Sequence, residues 1–257
     1  MYNHIAGFYD KSIDTDNYFN NLADFAQQII EKSDSYRIYA DKQEQPIVLD
    51  CACGTGRLTK ILYERGFDMI GLDVSDNMLD TAREVCTGLP VLFICQDMCE
   101  MDLFGSIAAI TCMTDSVNHI TDMKSLENFF SKAHNFLDPG GVLIFDVLTD
   151  KHFENMEADK CFFEDYDWGS CFWTGAYDSQ KRICKYNISY FEYTGMKNGN
   201  ETYIRTDDYI TEKIWSLRTL NGLLNKTGFS QVMMYDNTKF EPVNNNSHRI
   251  YFVAVKS

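Results

Sequence analysis

The chain contains no apolar stretch near the roughly 18 residues that a membrane-spanning helix needs. Its opening residues, Met1-Tyr2-Asn3-His4, lack the charged and apolar regions of a secretory signal, so a soluble, cytoplasmic protein is the expectation. Also missing is any run of Lys and Arg. The balance is 23 basic against 38 acidic residues, a net charge of -15 that would repel a phosphate backbone. A nucleic-acid partner is therefore disfavoured. The nine cysteines form no Cys-x-x-Cys and keep no disulfide-framework spacing, and no paired His cluster accompanies Cys51-Ala52-Cys53. Buried thiols in a reducing compartment, and no metal site, are what this pattern implies. No internal repeat or low-complexity tract divides the chain.

What is present is an alternation of strand-like and helix-like segments, the pattern of a parallel sheet covered by helices on both faces. Leu22, Phe25, Ala26, Ile29 and Ile30 share a helical face in an N-terminal leader that ends in the polar stretch 41–46. Ile47 to Cys51 reads as a strand, Gly54 and Gly56 as a tight loop, and Leu58, Ile61 and Leu62 as a helix up to a capping Gly66. Met69 to Asp73 is a second strand, followed by a helix opening at Ser75. Val91 to Cys95 and Ile107 to Cys112 read as the third and fourth. Leu126, Phe129, Phe130, Ala133, Phe136 and Leu137 mark an amphipathic helix stopped by Asp138-Pro139-Gly140-Gly141, and Val142 to Val147 is the fifth strand. After Leu148 the period becomes two: Cys184, Tyr186, Ile188 and Tyr190 alternate with polar residues, and Asn198-Gly199 signals a hairpin. Phe172 to about Trp215 is thus expected as a small antiparallel sheet. A helix through Leu217, Leu220 and Leu224, then a strand pair at 231–235 and 249–255, closes the chain.

Val48-Leu49-Asp50-Cys51-Ala52-Cys53-Gly54-Thr55-Gly56 leaves a buried strand and enters a helix, so backbone donors there face whatever binds. Asp73, about 20 residues beyond the loop at the end of the second strand, is placed to accept from two ribose hydroxyls. A plain capping role for Asp73 is the weaker alternative, because Ser75 or Asp76 can cap the next helix.

Together these motifs resemble the class I S-adenosylmethionine-dependent methyltransferases. Val48-Leu49-Asp50 with Cys53-Gly54-Thr55-Gly56 matches the first motif, Gly71-Leu72-Asp73-Val74-Ser75 the ribose motif, Gln96-Asp97-Met98 the adenine motif, and Leu137-Asp138-Pro139-Gly140-Gly141 the turn before the fifth strand. The resemblance implies an α/β fold, a Rossmann-like, doubly wound, mostly parallel sheet with an antiparallel last strand and a small antiparallel β insertion after the fifth strand. The match covers a core of 1–148 and 216–257 with a leader of 1–46, and the aromatic segment 149–215, inserted beside the carboxyl edge of the sheet, is expected to be an acceptor-binding lid. The resemblance also implies S-adenosyl-L-methionine as cofactor, with Asp50 and the loop from Ala52 through Gly54 to Gly56 near the methionine moiety and Asp73 on the ribose. Met78, Asp97 and Met98 would surround the adenine, Met113 would lie close by, and Tyr9 of Phe8-Tyr9-Asp10 would close over the cofactor or serve as a plain core aromatic. Ala52 stands where the family usually has its first glycine; alanine is the smallest substitute, so binding should survive with a loop less able to reach positive φ.

A nicotinamide oxidoreductase is the competing reading, but the third glycine of Gly-x-Gly-x-x-Gly is replaced by Thr59. A non-catalytic sensor or partner subunit with the same nucleotide site is the other. For the methyl acceptor, a small molecule first and a protein second, the loop after the fourth strand offers Asp115, Asn118 and His119, the last as a base near neutral pH. All three are also ordinary loop or capping residues. The insertion offers Tyr166, Trp168, Phe172, Trp173, Tyr177, Tyr186, Tyr190 and Tyr203, either as an apolar wall or as packing against the core or a second subunit. Arg205 and Arg218 are candidates for an acceptor carboxylate.

Overall fold

The computed structural model describes residues 15–154 and 161–257. Leu22, Phe25, Ala26 and Ile30 lie on one face of α1 (Thr15–Ile30) and are fully buried. A second leader helix, α2 (Asp34–Lys42), has no counterpart in the sequence reading. Ser33 caps it by accepting from the Tyr36 N–H at 3.1 Å, and Gln43 ends it in the left-handed region. Strand and helix then alternate through β1 (Ile47–Cys51), α3 (Arg57–Glu64), β2 (Asp68–Asp73), α4 (Asp76–Val85), β3 (Leu92–Cys95), β4 (Ile107–Cys112), α5 (Met123–Phe136) and β5 (Leu137–Leu148).

These strands pair in parallel, and β10 (Phe229–Tyr235) and β11 (Arg249–Lys256) complete a seven-stranded sheet of order β10-β11-β5-β4-β1-β2-β3, with β11 antiparallel to both neighbours. Every residue of β4 is buried, as a central strand covered on both faces requires. Alternation sorts the side chains: Val48 joins the core under α1 and α3, while Leu49 joins the opposite core with Phe129 and Phe130 of α5 and Leu220 and Leu224 of α7 (Leu217–Lys226). Phe145 and Phe252, register partners on β5 and β11, stack at 4.7 Å. The turn expected before the fifth strand lies within β5 instead. Leu137 already pairs with Ile107, the next four residues bulge, and pairing resumes at Ala109 and Val142. Gly140, at φ +72, lets this bulge approach α2 so closely that a Cβ would sit 2.7 Å from the Asp34 Cβ.

Between Leu148 and α7, after the single-turn α6 (Asp150–Phe153), lies an antiparallel sheet of order β6-β7-β8-β9: β6 (Cys161–Tyr166), β7 (Gly169–Asp178), β8 (Ile183–Lys197) and β9 (Asn200–Lys213). It starts at Cys161, before the Phe172 expected from the sequence, because β6 is an edge strand exposed along most of its length and carries no two-sided pattern. Asn198 (φ 53) and Gly199 (φ 79) make the two-residue turn joining β8 to β9. One face of this sheet meets the rest through two small clusters. Cys171 and Tyr190 pack on Met78, and Cys184 and Ile214 pack on Leu148 and Phe153.

Candidate active site

A cavity of about 500 Å³ opens at the carboxyl edge of the seven-stranded sheet, lined by the loops that follow β1, β2, β3 and β4. This is where open α/β sheets bind ligands. Ala52, Gly54, Asp73, Met78, Asp97 and Met98 line it, together with Asp115 and His119. Asp50, Gly56, Met113 and Asn118 are absent from its walls, and Tyr9 lies outside the described residues.

Each displaced residue has a visible structural task. Asp50 is fully buried and accepts from Thr59 Oγ1 at 2.6 Å and Thr111 Oγ1 at 2.9 Å, stapling β1 to α3 and β4. Burial pushes its carboxyl up to about 6 although both hydroxyls pull the other way. Gly56 (φ 75) starts α3 against α4, where a Cβ would meet the Ala82 Cβ at 2.9 Å. Met113 is buried in the core beneath α1 and α3. Ala52 does reach the left-handed region, at φ 57, so the loop keeps its path and bears roughly 1 kcal/mol of strain at that residue.

Asp73 holds two loops at once. Its Oδ2 accepts from the Gly54 N–H and its Oδ1 from the Ser75 N–H, both at 2.9 Å, while Ser75 itself caps α4 through the Met78 N–H. The Val74 backbone N–H also favours the charged carboxylate, so of its roughly four acceptor sites not all are taken by the loops. Burial moves this carboxyl upward. Asp97 accepts from the Cys99 N–H at 2.8 Å.

After β4 the backbone takes two consecutive left-handed residues, Thr114 (φ 58) and Asp115 (φ 54), a strained path of the kind that clusters at functional sites. It is held by the Asp115 N–H donating to Asp146 Oδ2 at 3.0 Å and by Ser116 Oγ donating to the Met113 carbonyl at 2.8 Å. Asp115 and Asp146 both pair with Arg249 of β11. Burial works against the Arg249 charge, but Asp146 and Asp115 outweigh it and hold the guanidinium well above its ordinary range.

Asn118 faces away from the cavity. Its side-chain amide donates to the carbonyls of Leu148 and Lys213 and accepts from the Leu148 N–H, so it straps both necks of the inserted sheet to the short 3₁₀ turn Ser116–His119. Trp215 Nε1 adds a bond to the Ile120 carbonyl at 2.9 Å. His119, on the same turn, faces the cavity with its Nε2 3.9 Å from Oε1 of Glu212 on β9. Burial lowers the basicity of His119, and burial followed by the charge of Asp115 pushes Glu212 up to about 8. Glu212 also accepts from the Tyr186 hydroxyl at 3.3 Å. Sequence reading missed Glu212. Its only signal was an acid on the face of β9 that alternation turns toward the core, beside Ile210.

The insertion's aromatics divide by face. Trp173, Tyr177, Tyr186 and Tyr190 pack toward the core, whereas Phe172 and Tyr203 are exposed, and none of them lines the cavity. Arg205 pairs with the neighbouring Asp207 and lies over Phe191, so it is no carboxylate receptor for the cavity. Arg218 does not line the cavity either.

A family model described as a methyltransferase domain matches residues 48–141. YqeM of Bacillus subtilis (strain 168), named as a methyltransferase, is 30% identical over 86% of this chain and 88% of its own length. Among solved structures, an S-adenosylmethionine-dependent methyltransferase from Clostridium acetobutylicum ATCC 824 superposes with a TM-score of 0.81 at 25% identity, covering 100% of this chain and 99% of that one. CalS10 of Micromonospora echinaspora, an amino pentose methyltransferase solved with S-adenosylmethionine bound, shares the fold with a TM-score of 0.68 at 18% identity, over 98% and 95% of the two chains.

Proposed function

Because the chain belongs to the class I S-adenosylmethionine-dependent methyltransferases and is an enzyme using that cofactor, we propose that the cavity at the carboxyl edge of the main sheet binds it and delivers its methyl group to a small-molecule acceptor beneath the inserted sheet. The observation that carries this reading is the placement of Asp73. Its carboxylate sits in the cavity wall at the end of β2, beside the glycine loop, where an acid can accept from ribose hydroxyls. The space beside Gly54 supports it, since a Cβ there would meet nothing within 4 Å. In this reading Asp97 accepts from the adenine amino group, Met78 and Met98 pack on the ring, and Ala52 and Gly54 border the methionine moiety.

S-adenosylmethionine supplies, when bound, a methyl group on a sulfonium that departs as a neutral thioether. The protein therefore needs no nucleophile and no acid for the leaving group. Its tasks are to orient the acceptor, exclude water and hold a proton. His119, in the cavity wall, is the group that takes a proton. Residues 149–215 are assigned as the acceptor lid, a reading supported by the strap that Asn118 makes to both of their necks and by Glu212 of β9, which approaches His119 at the cavity wall. No helix among the described residues is long and apolar enough to cross a membrane, and nine free thiols support a cytoplasmic setting. An acceptor as small as the amino pentose named for CalS10 fits a cavity of this size.

The test is a fractionated extract. S-adenosylhomocysteine should form when the enzyme receives the dialysable metabolites, and formation only with the retained macromolecules would overturn the small-molecule reading.

A further inference from the structure

We propose that Asp115 and His119 of the core and Glu212 of the inserted sheet form a tripod that binds the protonated amine of the methyl acceptor and takes up its proton, an assignment that rests on the methyltransferase reading of the adjoining cavity. The three offer ligand atoms that all lie within 4.8 Å of one another. A primary ammonium carries three N–H donors in tetrahedral directions, and charge-assisted bonds of about 2.8 Å place its acceptors about 4.6 Å apart. A tetrahedral divalent ion such as Zn²⁺, with ligands at about 2.1 Å, draws them to roughly 3.4 Å. The His119 to Glu212 separation of 3.9 Å is too long for a direct hydrogen bond and too wide for two ligands of one such ion, whereas an ammonium nitrogen bridges it with slightly bent bonds.

The surroundings favour the same guest. Among the described residues, Asp73, Asp97, Asp115 and Asp122 line the cavity against one guanidinium, that of Arg57. Arg249, the other nearby cation, is already committed to Asp115 and Asp146.

An ammonium nitrogen has no lone pair, so it must lose a proton before it can attack a methyl carbon. One N–H bond breaks, its electron pair stays on nitrogen, and the proton passes to the neutral His119 imidazole, with the Glu212 carboxylate beside the resulting imidazolium. The proton leaves to water when the product leaves. Without a cation, burial and Asp115 keep Glu212 protonated below about pH 8, and an ammonium reverses this by favouring the carboxylate. Amine binding near neutral pH should therefore release up to one proton. The groups facing the pair are Asp115 from the turn before the 3₁₀ helix, the Thr211 backbone of β9, Tyr186 and Cys184 of β8, Arg249 of β11 and Asp73 of β2.

The experiment titrates the S-adenosylhomocysteine-loaded protein with tyramine and glucosamine and with their hydroxyl counterparts tyrosol and glucose. Calorimetry in buffers of different ionisation enthalpy counts protons. At least one amine should bind about tenfold or more tighter than its counterpart, releasing close to one proton at pH 7, about half a proton near pH 8 and little well above it. Glu212→Gln, isosteric and checked by its melting curve, should abolish the release. Equal binding of amines and alcohols, no amine binding, or unchanged proton release in Glu212→Gln overturns the tripod. Zn²⁺ binding that depends on Glu212 with no amine response overturns it in favour of a metal. Failure of the unaltered protein to bind S-adenosylhomocysteine overturns the cavity reading and the tripod together.

Discussion

On β1 the neighbours Val48 and Leu49 point to opposite faces and both are fully buried, whereas on β9 the neighbours Tyr209 and Ile210 alternate in the same way with Tyr209 at 73% exposure and Ile210 at 5%. One sheet is closed on both sides by helices. The other has a single inner face, anchored at its two ends and open between them, and an outer face in water. The first arrangement fixes loop ends to within the tolerance that a cofactor demands, because every strand is gripped from above and below. The second ties its inner face to the core through two small apolar clusters, at Met78 and at Leu148 and Phe153, and through Glu212 against His119, so separating it from the core breaks fewer contacts. Charge follows the same division. The core buries Arg249 between two carboxylates, while the inserted sheet keeps its Arg205–Asp207 pair in solvent.

That contrast is broken most severely at Arg249. Arg249→Leu leaves Asp146, fully buried, without its counter-charge, and should cost about 3 to 5 kcal/mol of global stability in urea denaturation. Arg205→Leu should cost under about 0.5 kcal/mol, because exposed pairs contribute little. Similar losses from the two variants would mean the inserted sheet is as integral as the main one.

A pH scan sharpens the comparison inside the core. Asp50 has an ordinary value of 3.8 and is raised to about 6 in the fold, so the native state holds a proton that the unfolded chain has already lost. Stability from this group is therefore present below about pH 4, falls as pH rises to about 6 and is level above. Two units correspond to roughly 3 kcal/mol. Asp50→Asn should remove that slope, and a variant with the same pH dependence as the parent would place the burden on another group.

Asp73→Ala tests the loop ends that the main sheet positions. Loss of two charge-assisted bonds should weaken S-adenosylhomocysteine binding by about 2 to 3 kcal/mol in calorimetry. Some fold stability should go with it, since the same carboxylate holds the Gly54 and Ser75 amides. Near-normal affinity in a folded variant would move the ribose site elsewhere.

How much of this was legible in the sequence also divides between the two sheets. The buried strands of the main sheet are continuous apolar runs with glycine or acid at their ends, so β1, β2, β4 and the loop after β1 could be located residue by residue. Asp73 was recognisable by its distance from the glycine loop. Asp50 shared that motif but faces inward to Thr59 and Thr111, and only the packing of α3 and β4 reveals it. The inserted sheet was visible where alternation is strong, in β8, and invisible in β6, where both faces are wet. Asn118 looked like a pocket residue because polar residues after β4 so often are. Its partners, the Leu148 and Lys213 backbones, lie 30 and 95 residues away, beyond any local pattern. Glu212 was hidden for the same reason, being apposed to His119 by tertiary structure alone.

The smallest expected effect bears most directly on the division. Trp173 stacks on Phe162 at 4.0 Å and joins the cluster around Met78, which also lines the cavity. Trp173→Ala should loosen the inserted sheet and reach the cofactor only through that one methionine. S-adenosylhomocysteine affinity should therefore change by less than about tenfold, or about 1.4 kcal/mol, while turnover with the true acceptor falls further if, as proposed, the inserted sheet is the acceptor lid. Hydrogen exchange gives a reading that needs no acceptor. Amides of β8 and β9 should exchange faster than those of β5, which is buried along nearly its whole length, and Trp173→Ala should widen the gap by speeding the former alone. Protection of β8 and β9 equal to that of β5, together with loss of cofactor binding in Trp173→Ala, would place the inserted sheet in the core. The acceptor would then have to enter between α1 and the turn that carries His119, where Phe19 and Ser116 already line the cavity.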